Sequence, residues 1–169
     1  MRARGRHGTH SPFVYAFVEQ VMRAPVKAGL PVQTYMPRKA FHLLYKTIKH
    51  LAPDTVYTAS EWFSALQLIG EALSINVVVM PAGGLPQSTV AGALICMSGR
   101  EDELNLLPEL LPAKALKILL IRPHASKKRF VIWNRLATLP EVSVSLDYWH
   151  LGLLVKDPAF KAKQHFCLR

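Results

Sequence analysis

The sequence predicts a single α/β domain in which a mostly parallel sheet is covered by helices on both faces. Half of the 169 residues are apolar, which is enough to form the core of one domain. Short, continuously apolar runs alternate with stretches of helical periodicity from about residue 38 to residue 138. Strands of a parallel sheet are buried on both faces and apolar throughout, so this pattern predicts three layers. After residue 140, apolar and polar residues alternate, which predicts antiparallel strands at a C-terminal edge.

Five helices are predicted from apolar residues that recur every three or four positions. The first helix begins at Ser11-Pro12, because serine is a good N-cap and proline suits the first helical position. Phe13, Phe17 and Val21 form its apolar face and should anchor it on the core. The predicted helices span residues 12–23, 38–51, 61–73, 105–111 and 126–138.

Seven strands are predicted, and the first four of them should run parallel. They span residues 55–59, 76–81, 92–98, 115–122, 142–148, 152–156 and 165–169. Strand 55–59 should lie inside the sheet, and the continuous apolar run at 77–81 predicts that the strand at 76–81 is buried on both faces. The alternation in 142–148 predicts one exposed face, and 152–156 is expected to form a closing hairpin with 165–169.

Composition divides the chain into two parts. Residues 1–37 are predicted to form a basic N-terminal arm, a helix and a linker rich in proline and glycine, and residues 38–169 the α/β domain. Residues 1–50 carry nine Lys or Arg and one Glu, whereas residues 114–135 carry seven Lys or Arg and no acid. Two basic zones therefore flank a mildly acidic middle, and the formal net charge of the whole chain is +10.

The basic zones predict an anionic partner, either a nucleic acid or an acidic protein. Arginines at alternate positions of the arm would project to one side of an extended chain. Three cations at the start of a helix oppose the helix dipole unless an anion compensates. The residues expected to contact the partner are Arg2, Arg4, Arg6, Lys127, Lys128 and Arg129. A merely solvated basic surface is the alternative interpretation, and the sequence leaves open whether the chain forms a homo-oligomer.

Membrane insertion and metal binding are not indicated. The apolar runs are too short to cross a bilayer and no secretory signal is visible, so we expect a cytoplasmic protein in which Cys96 and Cys167 are reduced. His7 and His10 lie three positions apart, but no further ligands follow at a zinc spacing. His124 follows a predicted strand and is a weak candidate for a catalytic base, since no carboxylate lies near it in the sequence.

Both ends of the chain carry a motif that points to a family. Residues 6–15 read Arg-His-Gly-Thr-His-Ser-Pro-Phe-Val-Tyr, and the closing segments at 140–147, 152–154 and 165–169 follow in order. The chain thereby resembles a bacterial family of class I S-adenosylmethionine (SAM)-dependent methyltransferases, as a divergent and shortened member. The resemblance implies a Rossmann-like three-layer sandwich for residues 38–169, with SAM as the cofactor.

The cofactor positions depart from the family pattern. The family's Glu-x-Gly-x-x-x-Gly falls on residues 58–64, and the acid that ends its second strand falls on Pro81. Its Ile-Asp-Gly falls on residues 97–99, and its Asp-Asp-x-His falls on residues 121–124. The residues at the family's cofactor positions are Thr58, Ser60, Ser64, Pro81, Ser98 and Gly99. Glycines that admit a cofactor and carboxylates that hold its ribose are thus replaced, and Gly99 is the exception.

Three functions remain open at the level of sequence. The first is a methyltransferase-like protein that is degenerate at the cofactor site and acts as a binding or structural protein. The second is an active methyltransferase with a divergent SAM site. The third is a phosphate- or nucleic-acid-binding module that uses the basic zones. The methyl acceptor is not indicated.

Overall fold

A computed structural model of the chain describes residues 11–25, 30, 36–80 and 92–168. Helix α1 spans Pro12–Phe17 and continues as a π-helical segment over Val18–Arg23. The other helices are α2 (Arg38–Leu51), α3 (Phe63–Leu73), α4 (Leu107–Leu110) and α5 (Lys127–Ala137), with 3-10 turns at Ser60–Trp62 and Asp102–Leu106. The five predicted helices are confirmed. Among the described residues, no helix is both long and apolar enough to span a membrane.

All seven predicted strands are present within a few residues of their expected bounds. They are β1 (Thr55–Thr58), β2 (Asn76–Val79), β3 (Leu94–Met97), β4 (Leu116–Ile121), β5 (Val144–Asp147), β6 (Leu151–Lys156) and β7 (Gln164–Cys167). They form one sheet in the order β2-β1-β3-β4-β6-β5-β7. Strands β1 to β4 pair in parallel and β1 lies inside the sheet, as expected. Antiparallel pairing occurs in the C-terminal part, where β6 pairs with both β4 and β5.

The expected hairpin between the last two strands is wrong. Leu153 of β6 pairs with Leu119 on one side and with Leu146 on the other, so both edges of β6 are occupied. Strand β7 therefore adds to the remaining edge of β5, with which it runs parallel. The antiparallel strand is thus an inner one, and β7 forms the border of the sheet.

Helices cover both faces of the sheet, as the predicted three-layer arrangement requires. Helices α1, α2 and α3 contribute to one core cluster, in which Phe17 lies 5.2 Å from the ring of Tyr148 and the two rings meet edge to face. Helices α4 and α5 contribute to the opposite cluster, which contains the buried Trp133. Val14, Phe17 and Val21 are fully buried, so the first helix is anchored on the core as predicted.

Two expectations about strand burial are wrong. Strand β2 forms the other border of the sheet, and Val79 is 42% exposed although its run is apolar throughout. In β5 the polar positions Ser145 and Asp147 are buried, not exposed to solvent. An edge position leaves β2 covered on one side only, whereas side chains from neighbouring segments cover the polar side of β5.

The chain reverses its direction of travel across the sheet between β1 and β3. From β1 it moves outward to β2, and from β3 it moves the opposite way to β4. This arrangement is compatible with a Rossmann-like fold. In such open sheets, ligands bind outside the carboxyl ends of the strands, next to the point of reversal.

Candidate functional site

The ends of four strands bring three predicted site residues, Thr58, Ser98 and His124, to one edge of the sheet, together with Asp147, which was not predicted. Thr58 ends β1, Ser98 follows β3, His124 follows β4, and Asp147 ends β5. Because these strands point the same way, their ends lie together at what we call the carboxyl edge. Pro81, another predicted site residue, lies outside the described residues.

Polar groups at the ends of β1 and β3 are satisfied by the chain itself. The Thr58 hydroxyl is buried and donates to the carbonyl oxygen of Ala59 at 3.0 Å. Ser98 donates to the Glu103 carboxylate from its backbone N–H at 3.0 Å and from its hydroxyl at 2.8 Å. The backbone N–H of Arg100 donates to the other oxygen of Glu103 at 3.0 Å. The Glu103 carboxylate is buried and therefore takes the place that a ligand acceptor would occupy after β3.

A salt bridge joins the segments that follow β1 and β4. Arg129 of α5 donates to the Glu61 carboxylate at 2.9 Å, across 68 positions of sequence. Gly99 has φ +72°, a left-handed conformation that favours glycine, and a Cβ placed there would lie 3.8 Å from Arg129. The side chains of Glu61 and Arg129 thus meet beside the point where the chain reverses its direction across the sheet.

Of the two serines that the resemblance aligns with glycines, Ser64 is exposed on α3 and Ser60 lies in the preceding 3-10 turn. Trp62 closes this turn and is buried. Its indole N–H has no hydrogen-bond partner among the residues that the structure describes. Thus β1 is followed by a bulky buried ring, not by a glycine turn that would leave room for a cofactor.

A basic groove of about 830 Å³ lies between the segment that follows β3 and helix α5. The helix is capped by the Ser126 hydroxyl, which accepts from the backbone N–H of Arg129 at 3.2 Å. Arg100, Lys127 and Lys128 line the groove and are exposed, while Asp102 pairs with Arg100 at its rim. The groove thus presents two exposed lysines at the N-terminus of a helix, an arrangement that attracts anions.

The carboxylate that His124 lacks in sequence is supplied by Asp147. The Nε2 atom of His124 lies 2.9 Å from both carboxylate oxygens of Asp147, and the two side chains are 12% and 6% exposed. Asp147 also accepts the backbone N–H of Trp149 at 3.1 Å and the thiol of Cys167 at 3.9 Å. A carboxylate in this position fixes the orientation of the imidazole ring.

The imidazole of His124 contacts two aromatic side chains, Trp149 and Phe130, and we call these three residues the aromatic stack. The Trp149 ring is stacked on it with centroids 4.7 Å apart and planes 10° apart. Phe130 lies in the first turn of α5, and the centroid of its ring is 4.8 Å from that of His124. Trp149 is 50% exposed and has φ +68°, in the left-handed region.

Two cations, Lys39 and Arg122, lie close enough to His150 to influence its pKa. Burial lowers the pKa of His150, and the charges of Lys39 and Arg122 lower it further. Arg122 precedes His124 by two residues and donates its backbone N–H to the carbonyl of His150 at 2.8 Å. A neighbouring anion would therefore be favoured here.

The other candidates fall outside this edge or outside the described residues. Arg2, Arg4, Arg6, His7 and His10 belong to a segment that the structure does not describe. Cys96 and Cys167 are free thiols, and burial raises the pKa of Cys96. Within the described ranges, no three His, Cys, Asp or Glu side chains are grouped so as to hold a metal ion.

Sequence reasoning missed Asp147 and Glu103. Asp147 belongs to the alternating run 142–148, whose polar side was expected to face solvent, and it lies 23 residues from His124. Glu103 follows Ser98 by five residues, between the predicted strand at 92–98 and the predicted helix at 105–111. The sequence signal that could have identified Asp147 is that it is an acid near the end of a predicted strand.

The comparisons with known proteins leave the methyltransferase resemblance supported by the sequence motifs alone. No protein-family model, no curated protein and no solved structure matches this chain.

Proposed function

We propose that this chain is a class I methyltransferase-like protein whose SAM site is no longer functional and which acts by binding an anionic partner. The motifs at residues 6–15 and 165–169 support the kinship, and the sheet is compatible with a Rossmann-like fold. The proposal includes the cytoplasmic location expected from the sequence, with which two free thiols are consistent.

The proposal rests on one observation: the backbone N–H groups that follow β3 already donate to a carboxylate of the chain itself. A SAM site needs backbone N–H groups and carboxylates that remain available to the cofactor. Here the N–H groups of Ser98 and Arg100 already donate to buried Glu103, and no carboxylate stands at position 58 or 98. Displacing Glu103 would leave its own buried carboxylate without these donors, which opposes cofactor entry.

Calorimetric titration with SAM and with S-adenosylhomocysteine tests this proposal. Each charge-assisted hydrogen bond lost with a ribose-binding carboxylate is worth about 1.5–3 kcal/mol, which corresponds to roughly tenfold or more in affinity. We expect no saturable heat in the low micromolar range for either compound. Clear saturation in that range would refute the loss of the SAM site.

A second candidate is an active methyltransferase with a divergent SAM site, and the His124–Asp147 hydrogen bond favours it. A histidine held by a buried carboxylate at the carboxyl edge can take up or release a proton during a reaction. This candidate requires SAM to bind, so the same titration separates it from the first. The cofactor would then lie beside Ser98 and Gly99, with Glu103 displaced.

A further inference from the structure

The aromatic stack offers a flat surface that is held in place. The Trp149 ring lies parallel to the His124 ring, and both residues are tied to Asp147, one through its backbone N–H and the other through its ring nitrogen. Half of the Trp149 side chain nevertheless remains exposed. A large exposed indole that is fixed in this way loses little conformational entropy when another ring stacks on it.

Cations surround the stack at helical spacing. On α5, Lys127 lies three positions from Phe130 and four from Val131, so these side chains share one exposed face. Arg135 continues this face one turn further and is also exposed. Phe130 and Val131 are 38% and 58% exposed, so the face alternates apolar and cationic side chains.

This combination distinguishes between classes of anionic partner. An acidic protein would be attracted by the cations alone and would not require an exposed ring in a fixed plane. In duplex nucleic acid the bases are already stacked on one another, whereas a single strand offers both phosphates and free base faces. The exposed cations Lys127, Lys128 and Arg135 of α5 match the charge of such a strand.

We propose that the aromatic stack and the exposed face of α5 bind single-stranded nucleic acid, with a base on Trp149 and phosphates on Lys127, Lys128 and Arg135. The inference rests on the proposed anion-binding function and specifies its partner. It assigns the phosphates to the exposed face of α5 and the bases to the stack, two surfaces joined by Phe130.

The test measures fluorescence anisotropy of labelled oligo(U) and oligo(dT) of about 20 nucleotides with the full chain over a range of salt concentrations. Trp149→Ala should weaken binding by about 5- to 100-fold, the range for one base stacked on an aromatic ring. Phe130→Ala removes the ring that α5 contributes to the aromatic stack, and it should also weaken binding. Tyr15→Ala is the matched control, since Tyr15 is 42% exposed on α1, and it should leave affinity unchanged.

The charge contacts have a separate readout. Log K for a single strand falls as log salt rises. The double variant Lys127→Ala/Lys128→Ala should make this slope less steep by about 1.4. Lys49→Ala/Lys114→Ala removes the same charge from exposed positions away from the carboxyl edge and should leave that slope nearly unchanged. A purely structural role of the lysines would not alter the slope selectively.

Several results would overturn the inference. If Trp149→Ala and Phe130→Ala bind oligonucleotides as tightly as Tyr15→Ala does, the stack does not contact bases. Binding to heparin or to polyglutamate without binding to oligonucleotides would reject the nucleic acid while the proposed anion binding stands. Failure to bind any of these polyanions would reject both. Self-association that Trp149→Ala abolishes, in a protein that binds no oligonucleotide, would assign the surface to a second copy of the chain.

Discussion

The substitution Asp147→Ala is the most informative test of the carboxyl edge. It removes the acceptor of the His124 ring nitrogen and of the Trp149 backbone N–H, and it removes the contact with the Cys167 thiol. The Asp147 side chain is only 6% exposed, so water cannot readily replace these contacts. We therefore expect the aromatic stack to loosen and the fold to lose stability.

The magnitude follows from the burial of the pair. Breaking a buried, hydrogen-bonded ionisable pair by removing one partner costs about 3–5 kcal/mol. For a domain of this size, each kcal/mol shifts the melting temperature by about 2–4 °C, so the total decrease should be roughly 6–20 °C. Asp147→Asn keeps a side-chain oxygen that can accept from Trp149, and it should lose roughly half as much.

Thermal unfolding followed by circular dichroism measures the effect. Asp102→Ala is the matched control, because Asp102 is 60% exposed and its ion pair with Arg100 lies on the surface. Such a pair contributes about 0–1 kcal/mol, so the control should shift the melting temperature by no more than about 4 °C. If Asp147→Ala unfolds at the same temperature as Asp102→Ala, the His124–Asp147 pair does not hold the carboxyl edge together.

Two further predictions concern packing and pH. A Cβ on Gly152 would lie 2.5–2.9 Å from the buried ring of Trp133, so Gly152→Ala should cost about 1–3 kcal/mol in a denaturant titration, and an unchanged midpoint would contradict this packing. Burial, and then the charge of Lys117, lower the pKa of His50, so below about pH 6.5 the unfolded chain binds more protons than the folded one. The free energy of unfolding should therefore fall as the pH is lowered below about 6.5. His50→Gln should reduce the slope of the free energy of unfolding against pH. Equal slopes for the variant and the unmodified protein would rule this out.

Most secondary structure was predictable because its signals are local. The continuous apolar run at 118–121 and the helical periodicity of 127–137 each lie within one element, so neither depends on the rest of the chain. The burial of β2 was not predictable in the same way. A run of valines indicates a strand, but its exposure depends on whether a neighbour pairs with its outer edge.

Some residues of the candidate site were likewise predictable from the sequence, and others were not. Ser98 and Gly99 were identified from the pattern of the family that the sequence resembles, and His124 from its position after a predicted strand; the sheet does bring them to one edge. The acceptor of the Ser98 hydrogen bonds was not predictable, because a 3-10 turn folds Glu103 back onto the strand end.

The sequence by itself determined the class of fold, the approximate bounds of the elements and the basic zones. These properties depend on composition and on patterns within about a dozen residues. Only the tertiary structure decided that β6 lies between β4 and β5, and hence that Asp147 faces His124 across the start of β6. Strand order depends on which edges remain free after the earlier strands have paired. A contact between residues 23 positions apart is therefore a property of the assembled sheet and not of either segment.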